Sequence, residues 1–306
     1  MIAFRLLRYF STVLNSLRYI LETHPSGSDS QGCGRFTSLR TVTEKSLMPL
    51  KTIIFNVLFV FILLSHIPAH SFMSDTEIAS FQKEIADKPV GERIALWAEK
   101  FMGTPYDPDP LGEYVTKKVI VADERVDCMY LSFRAVELAM SISPDEAIRI
   151  ALDKRFINKG KLDGKGNVVN YDDRFQYGED MLDSGKWGRE ITKEFGEVTG
   201  IKGARGREKV KMLSKATMLN LLKTSKGLSA LGGFKNGDFI FFIKAPEKRK
   251  VGEIVGHIGI VKVEHGEIYL IHAGGVKNKG GKVKKERLYD YISSMPFAGI
   301  RVSRFE

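Results

Sequence analysis

The stretch that decides the fold runs from residue 254 to residue 273: Ile-Val-Gly-His-Ile-Gly-Ile-Val-Lys-Val-Glu-His-Gly-Glu-Ile-Tyr-Leu-Ile-His-Ala. Two runs rich in Ile and Val flank His265-Gly266, the pattern of a β-hairpin closed by a two-residue turn. With that turn Glu264 faces Glu267, Gly259 faces His272 and His257 faces Gly274. Side chains alternate along a strand, so residues 257, 259, 272 and 274 share one face of the sheet. His257 and His272 become diagonal neighbours, with Cα atoms roughly 7–8 Å apart and side chains able to meet. A four-residue loop preserves this relation, whereas a three-residue loop puts the two histidines on opposite faces. His265, in the turn, is expected to be exposed.

Working outward, Phe239–Ile243 reads as a strand after the Asn236-Gly237-Asp238 turn, and 299–304 as a last strand. The preceding chain is mostly helical in pattern. Thr76–Phe101 reads as one or two helices with a break at Pro89-Val90-Gly91, and 145–157 as another. The spacing predicts a short strand over Lys117–Ala122 and mixed helix and loop over 171–195. It predicts a basic helix over 207–227 and a flexible loop over Lys277–Lys285. Helices first and an antiparallel sheet afterwards is an α+β order.

Cys128 is the only cysteine beyond residue 71, and it opens a helical run that continues to Met140. Apolar residues at 128, 131, 135, 138 and 142 form the stripe of a half-buried helix. Asp127 is a good N-cap, which makes Cys128 the first helical residue. A thiol there feels the positive end of the helix dipole, which favours the thiolate. The same residue also fits as a small buried apolar side chain.

Residues 48–71 read as a cleaved secretory signal peptide. Lys51 is the charged start, Ile53–Leu64 is an apolar run interrupted only by Asn56, and Ala69-His70-Ser71 is the cleavage site. The run is too short to span a membrane. Residues 1–47 are basic and are expected to be a mis-annotated upstream extension, with translation starting at Met48; a transit peptide is the other reading. The mature chain, 72–306, is then one domain, with an insertion at about 144–232. An exported chain whose one thiol has no cysteine partner calls for a function of that thiol.

Charge is uneven. Residues 72–201 hold 18 Lys/Arg against 25 Asp/Glu, whereas 202–227 hold eight against one and 244–287 hold 11 against five. A basic face of this kind fits a polyanion or a solvated lysine-rich surface. No aromatic-interleaved basic motif points to nucleic acid, and no nucleic-acid partner is expected.

Only His257, His265 and His272 lie beyond residue 71. A helix-capped Cys128 with His257 and His272 on one sheet face makes a site for acyl transfer. The thiolate attacks, His257 relays the proton, and His272 bonds the far nitrogen of His257 and fixes its tautomer. A satisfied core histidine pair beside a buried cysteine is the plainer reading of the same residues. Zinc is poorly served, because there is no Cys-x-x-Cys or His-Glu-x-x-His. No metal and no cofactor are expected.

These residues resemble the NlpC-type papain-like cell-wall cysteine hydrolases. The likeness rests on Asp127-Cys128 opening a helix, Gly237-Asp238-Phe239-Ile240, Gly256-His257-Ile258-Gly259-Ile260 and Ile271-His272-Ala273. Gly103-Thr104-Pro105-Tyr106 ahead of the cysteine fits as well. Within that superfamily the chain resembles the N-acetylmuramoyl-L-alanine amidase-like family. The clues are the long insert before the sheet, Tyr171-x-x-Arg174-x-x-Tyr177 and the Phe297–Val302 ending. Where many members carry Ser-Gly-Leu after the cysteine, this chain has Met129-Tyr130-Leu131.

The resemblance implies a papain-like core with the cysteine helix packed on an antiparallel sheet, plus a mostly helical insertion. It implies a periplasmic or secreted enzyme that cuts the bond between N-acetylmuramic acid and L-alanine in peptidoglycan or muropeptide fragments. Cys128 is the implied nucleophile, His257 the base and His272 the polar third residue. Tyr106 and Asp127 are placed beside the oxyanion or substrate. Arg174 is a candidate for a stem-peptide carboxylate or for a structural ion pair. No stable membrane anchor is expected after signal removal, and the oligomeric state is left open. The alternatives are a stem-peptide endopeptidase of the same fold and a non-catalytic wall- or lipid-binding module.

Overall fold

The computed structural model describes residues 72–224, 233–276 and 279–306. The expected upstream extension and signal peptide lie outside them. The fold is α+β. Eight strands form one antiparallel sheet in the order β2-β3-β8-β4-β5-β6-β7, with β1 also paired to β8. The strands are β1 (Arg189–Glu190), β2 (Thr199–Lys202), β3 (Lys209–Ser214), β4 (Phe239–Lys244), β5 (Val255–Glu264), β6 (Glu267–Val276), β7 (Gly280–Arg287) and β8 (Phe297–Arg304).

The chain enters through helices α1 (Asp75–Glu84) and α2 (Val90–Lys100), separated at Pro89 as expected. Ser74 starts α1 with a reciprocal capping box to Glu77. A single turn, α3 (Glu113–Thr116), follows. Lys117–Ala122 is not the expected strand. Lys118 sits at φ 57°, a left-handed conformation that breaks extended backbone.

Helix α4 (Cys128–Met140) is capped as predicted, with the Tyr130 backbone N–H donating to Asp127 Oδ1 at 2.8 Å. It is not half-buried. Residues 130–139 are all buried, Ser132, Arg134 and Glu137 included, while Ile142 lies beyond the helix and is exposed. The stripe misleads because α4 is covered on both sides, by α2 and α5 (Pro144–Lys154) and by β5 and β6. Its charges are buried only in pairs, as desolvation requires. Arg134 bonds Asp123 at 2.7 and 2.8 Å, and Arg155 bonds Glu137 at 2.6 and 2.7 Å.

The segment after α5 is less helical than expected. It holds the short helix α6 (Gly178–Asp183) and strands β1 to β3. The basic helix expected over 207–227 is strand β3 followed by helix α7 (Lys215–Thr224). Lys209 and Lys211 are exposed while Val210 and Met212 are buried, a period of two and not of 3.6. The expected loop over 277–285 is likewise largely strand β7, paired to β6 from Val276↔Gly280 to Tyr269↔Arg287. Its lysines suit an edge strand, whose open side must be kept from pairing with another chain.

The β5–β6 hairpin has the register read from the sequence, from Glu264↔Glu267 to Ile260↔Ile271. His265 and Gly266 take φ of 50° and 78°, both positive as a type I′ turn requires. Beyond Ile260↔Ile271 the ladder stops, although β5 runs back to Val255 and β6 on to Val276. One face of the sheet packs Phe239, Phe241, Ile258, Ile260, Ile271 and Ala273 into the core around α4. The other packs Ile240, Phe242, Val261, Leu270 and Val302 with Met218 of α7 and with Tyr291 and Ile292 of α8 (Leu288–Ser294). Among the described residues no helix is long and apolar enough to cross a membrane.

Candidate active site

Where the β5–β6 ladder opens, the two histidines meet. His257 Nε2 lies 2.8 Å from His272 Nδ1, with the rings perpendicular and their centroids 4.9 Å apart. The diagonal contact expected from the hairpin is therefore present. His272 Nε2 lies 3.0 Å from Glu286 Oε1 on β7, and Lys284 forms an ion pair with the same carboxylate oxygen. His272 is buried and His257 half-buried.

Both histidines lie on the face shared by Leu270 and Tyr291. The Tyr291 ring packs against His272 at 4.6 Å and against His257 at 5.8 Å between centroids, and Phe242 packs beside Tyr291 at 5.0 Å and lies 6.0 Å from His257. Burial, helped by the charges of His272 and Lys284, lowers the His257 pKa to about 3. Burial also lowers that of His272, against the opposing pull of Glu286. Both imidazoles are therefore neutral at neutral pH.

Cys128 stands at the N-terminus of α4 and is half-buried. Burial raises the Tyr106 pKa, and the Cys128 charge is the next contribution; the same two causes, in that order, raise that of Tyr291. The Tyr291 ring rests on both imidazoles.

Tyr106 is held by a backbone staple. The Gly103 N–H donates to Val283 O, the Val283 N–H to Thr104 O and the Tyr106 N–H to Gly281 O, each at 2.9 Å. The Val126 N–H donates to Pro105 O at 3.0 Å, and the Asp107 N–H to Val126 O at 3.1 Å. The Gly103–Tyr106 segment therefore ties the outer edge of β7 to the strand-like lead into Cys128. Gly275 makes room for it: a Cβ there would fall 2.2 Å from Tyr106 Cγ.

Asp127 is the helix cap described above, and His265 is exposed in the hairpin turn. Arg174 belongs to a different neighbourhood. Its Nη1 donates to Tyr171 O at 2.9 Å, and its backbone bridges to Phe156. None of these contacts is to Cys128, His257 or His272. Among the described residues no group of three or more His, Cys, Asp or Glu is arranged to hold a metal ion.

Sequence reasoning missed Glu286 and Tyr291. Glu286 could have been found had β7 been read as a strand. Its partner Leu270 and the neighbouring pair His272↔Lys284 put residue 286 on the histidine face. Tyr291 follows on a seven-residue helix whose docking onto that face no local pattern announces.

No model of a protein family matches this sequence, and no curated protein does. Solved structures do resemble it. An N-acetylmuramoyl-L-alanine amidase from Bacteroides uniformis is 19% identical with a TM-score of 0.52, over 70% of this chain and 98% of that one. A Legionella pneumophila protein of the DUF1460 family is 15% identical with a TM-score of 0.55, over 74% and 93%. A candidate xylanase from Bacteroides fragilis is 20% identical with a TM-score of 0.52, over 69% and 100%. At these identities the likeness is one of fold: the chain shares an α+β architecture with a group of bacterial proteins, an amidase among them.

Proposed function

We propose that this protein is an exported, papain-like (NlpC-type) cysteine hydrolase of peptidoglycan that cuts the amide between N-acetylmuramic acid and L-alanine. The observation that carries the reading is the 2.8 Å bond between His257 Nε2 and His272 Nδ1. It occupies one nitrogen of His257 and leaves the other to serve a thiol, on a sheet packed against a helix headed by Cys128. The amidase among its structural neighbours supports the bond chosen. The xylanase label on another neighbour fits this site poorly, since glycosidases of the usual kind set two carboxylates on either side of the scissile bond. Here the one carboxylate bonded to the histidines, Glu286, is engaged by His272 and Lys284.

In the proposed mechanism His257 Nδ1 takes the proton of the Cys128 thiol. The thiolate sulfur forms a bond to the amide carbonyl carbon, and the Cys128 backbone N–H at the helix N-terminus stabilises the oxyanion. The imidazolium then protonates the leaving L-alanine nitrogen as the C–N bond breaks, leaving a thioester on Cys128. Water, deprotonated by His257, hydrolyses the thioester and restores the thiol. His257 is neutral at neutral pH, the state that accepts a proton, while burial lowers its affinity for that proton, so the step relies on the thiol being acidified at the helix N-terminus. His272 orients the ring.

The test is purified protein, wild type and Cys128→Ala, incubated with intact peptidoglycan and read by mass spectrometry. The expected products are stem peptides beginning with L-alanine, absent with the variant, whose thermal unfolding matches wild type. His272→Ala is expected to lose less activity than Cys128→Ala. Peptides cut inside the stem would move the reaction to an endopeptidase, and a folded, fully active Cys128→Ala protein would remove the mechanism.

A further inference from the structure

We propose that Glu286 is a positioning residue that selects the tautomer of both imidazoles and so presents a bare Nδ1 on His257. The proposal deepens the cysteine-hydrolase reading above and rests on it for its catalytic consequence. Its structural content is independent of that reading.

Two imidazoles joined by one hydrogen bond can be arranged in two opposite ways. In one, His257 Nε2–H donates to a bare His272 Nδ1, and His257 Nδ1 carries the lone pair. In the other, His272 Nδ1–H donates to a bare His257 Nε2, and the His257 proton sits on Nδ1, where it blocks a base. The His257–His272 contact alone does not choose between them, because each nitrogen can play either role.

Glu286 chooses. Strand β7 brings it to the histidine face through the pairs Leu270↔Glu286 and His272↔Lys284. Its Oε1 lies 3.0 Å from His272 Nε2. Burial works to raise the carboxyl pKa, but the bonds from Lys284 and His272 outweigh it and hold the group below the usual carboxylate range. An ionised carboxylate only accepts, so His272 Nε2 bears the proton. His272 is neutral, so its Nδ1 is bare and can only accept. The 2.8 Å contact must then be a donation from His257 Nε2–H. The neutral ring of His257 is left with its lone pair at Nδ1.

The charged and titratable groups around this relay come from several elements. Lys284 lies beside Glu286 on β7, Lys282 pairs with Gly274 on the same strand, Tyr291 faces both rings from α8, and Cys128 acts on Tyr291 from α4. Lys284 anchors the carboxylate. Together with the fixed backbone of β7 it makes the proton position a property of the sheet and not of substrate binding.

The experiment is long-range 1H–15N NMR on the full protein with 15N-labelled histidine, at neutral pH, for wild type, Glu286→Ala and Glu286→Gln. Wild type should show His257 and His272 both protonated at Nε2. Glu286→Ala should move a measurable fraction of His257 to the Nδ1–H form and lower kcat by about 10–100-fold with little change in KM, the range seen when an outer partner of a functional histidine is removed. Glu286→Gln, which keeps an accepting oxygen, should restore both signals and most of kcat. An Nδ1–H signal for His257 in the wild type would overturn the proposal without any variant, as would unchanged tautomers in a folded Glu286→Ala protein. If the tautomers respond as expected but no peptidoglycan is cut, the positioning role stands and the hydrolase reading fails.

Discussion

The packing of Tyr106 on Gly275 can be tested by adding a single methyl group. In Gly275→Ala the new Cβ would lie 2.2 Å from Tyr106 Cγ, 2.6 Å from Cδ2 and 2.7 Å from Cβ. An ordinary carbon–carbon contact is about 3.5 Å, so the ring must retreat by roughly 1.3 Å. It cannot do so cheaply, because the backbone on either side of Tyr106 is bonded to Gly281 and Val126. Overpacking of this kind costs about 1–3 kcal/mol. In a chain of this size that corresponds to a fall in Tm of roughly 2–4 °C per kcal/mol. Under the proposed function, displacing Tyr106 by about 1 Å is expected to lower turnover by about 100-fold. The assay is differential scanning calorimetry and peptidoglycan hydrolysis on Gly275→Ala, Tyr106→Ala and the double variant. The double variant should be no less stable than Tyr106→Ala alone, since the methyl group then has nothing to strike. Wild-type Tm and turnover in Gly275→Ala, or strictly additive losses in the double variant, would refute the contact.

Three further outcomes follow from the structure. The His257 pKa is lowered by burial to about 3, so between the ordinary imidazole value and about 3 the unfolded chain binds a proton that the folded one does not. Stability should accordingly be fully present above the ordinary value and fall as pH drops through that window; urea unfolding at pH 7, 5 and 4 should show this slope, and His257→Gln should flatten it. Glu137 is fully buried between Arg134 and Arg155, the latter also fully buried. Glu137→Ala should therefore destabilise by about 3–5 kcal/mol, and an unchanged denaturation midpoint would show that the guanidiniums find other partners. Asp127→Ala should cost about 1 kcal/mol through loss of the α4 cap and slow alkylation of Cys128 by iodoacetamide, since the first helical turn that favours the thiolate frays; equal alkylation rates would uncouple cap and thiol.

The parts of the fold legible in the sequence were those fixed by local chemistry. Asp127 could be read as a cap because a carboxylate before an apolar run has few other uses. The His265-Gly266 turn gave the register, and register alone placed His257 diagonal to His272. What escaped were elements whose state depends on distant partners. Lys209–Ser214 alternates like a strand, but its lysines suggest a helix until β2 and β8 are there to pair with it. Strand β7 reads as a Lys/Gly loop because half its ladder is supplied by β6 and its outer edge by Gly103–Tyr106. Missing β7 meant missing Glu286, and with it the group that polarises the histidine pair. The apolar stripe of α4 concealed the opposite error: its polar residues are buried because Asp123 and Arg155, neither of them in the helix, neutralise them.

Strand β8 is the last element in sequence, yet it lies inside the sheet, bonded to β4 on one side and to β3 and β1 on the other. During synthesis the cysteine helix and both histidines leave the ribosome well before it. Until residues 297–304 are in place, the strand that joins β4 to β3 and β1 is missing, and those strands present open edges. A chain broken off before residue 297 would lose the seam of the sheet and not its rim.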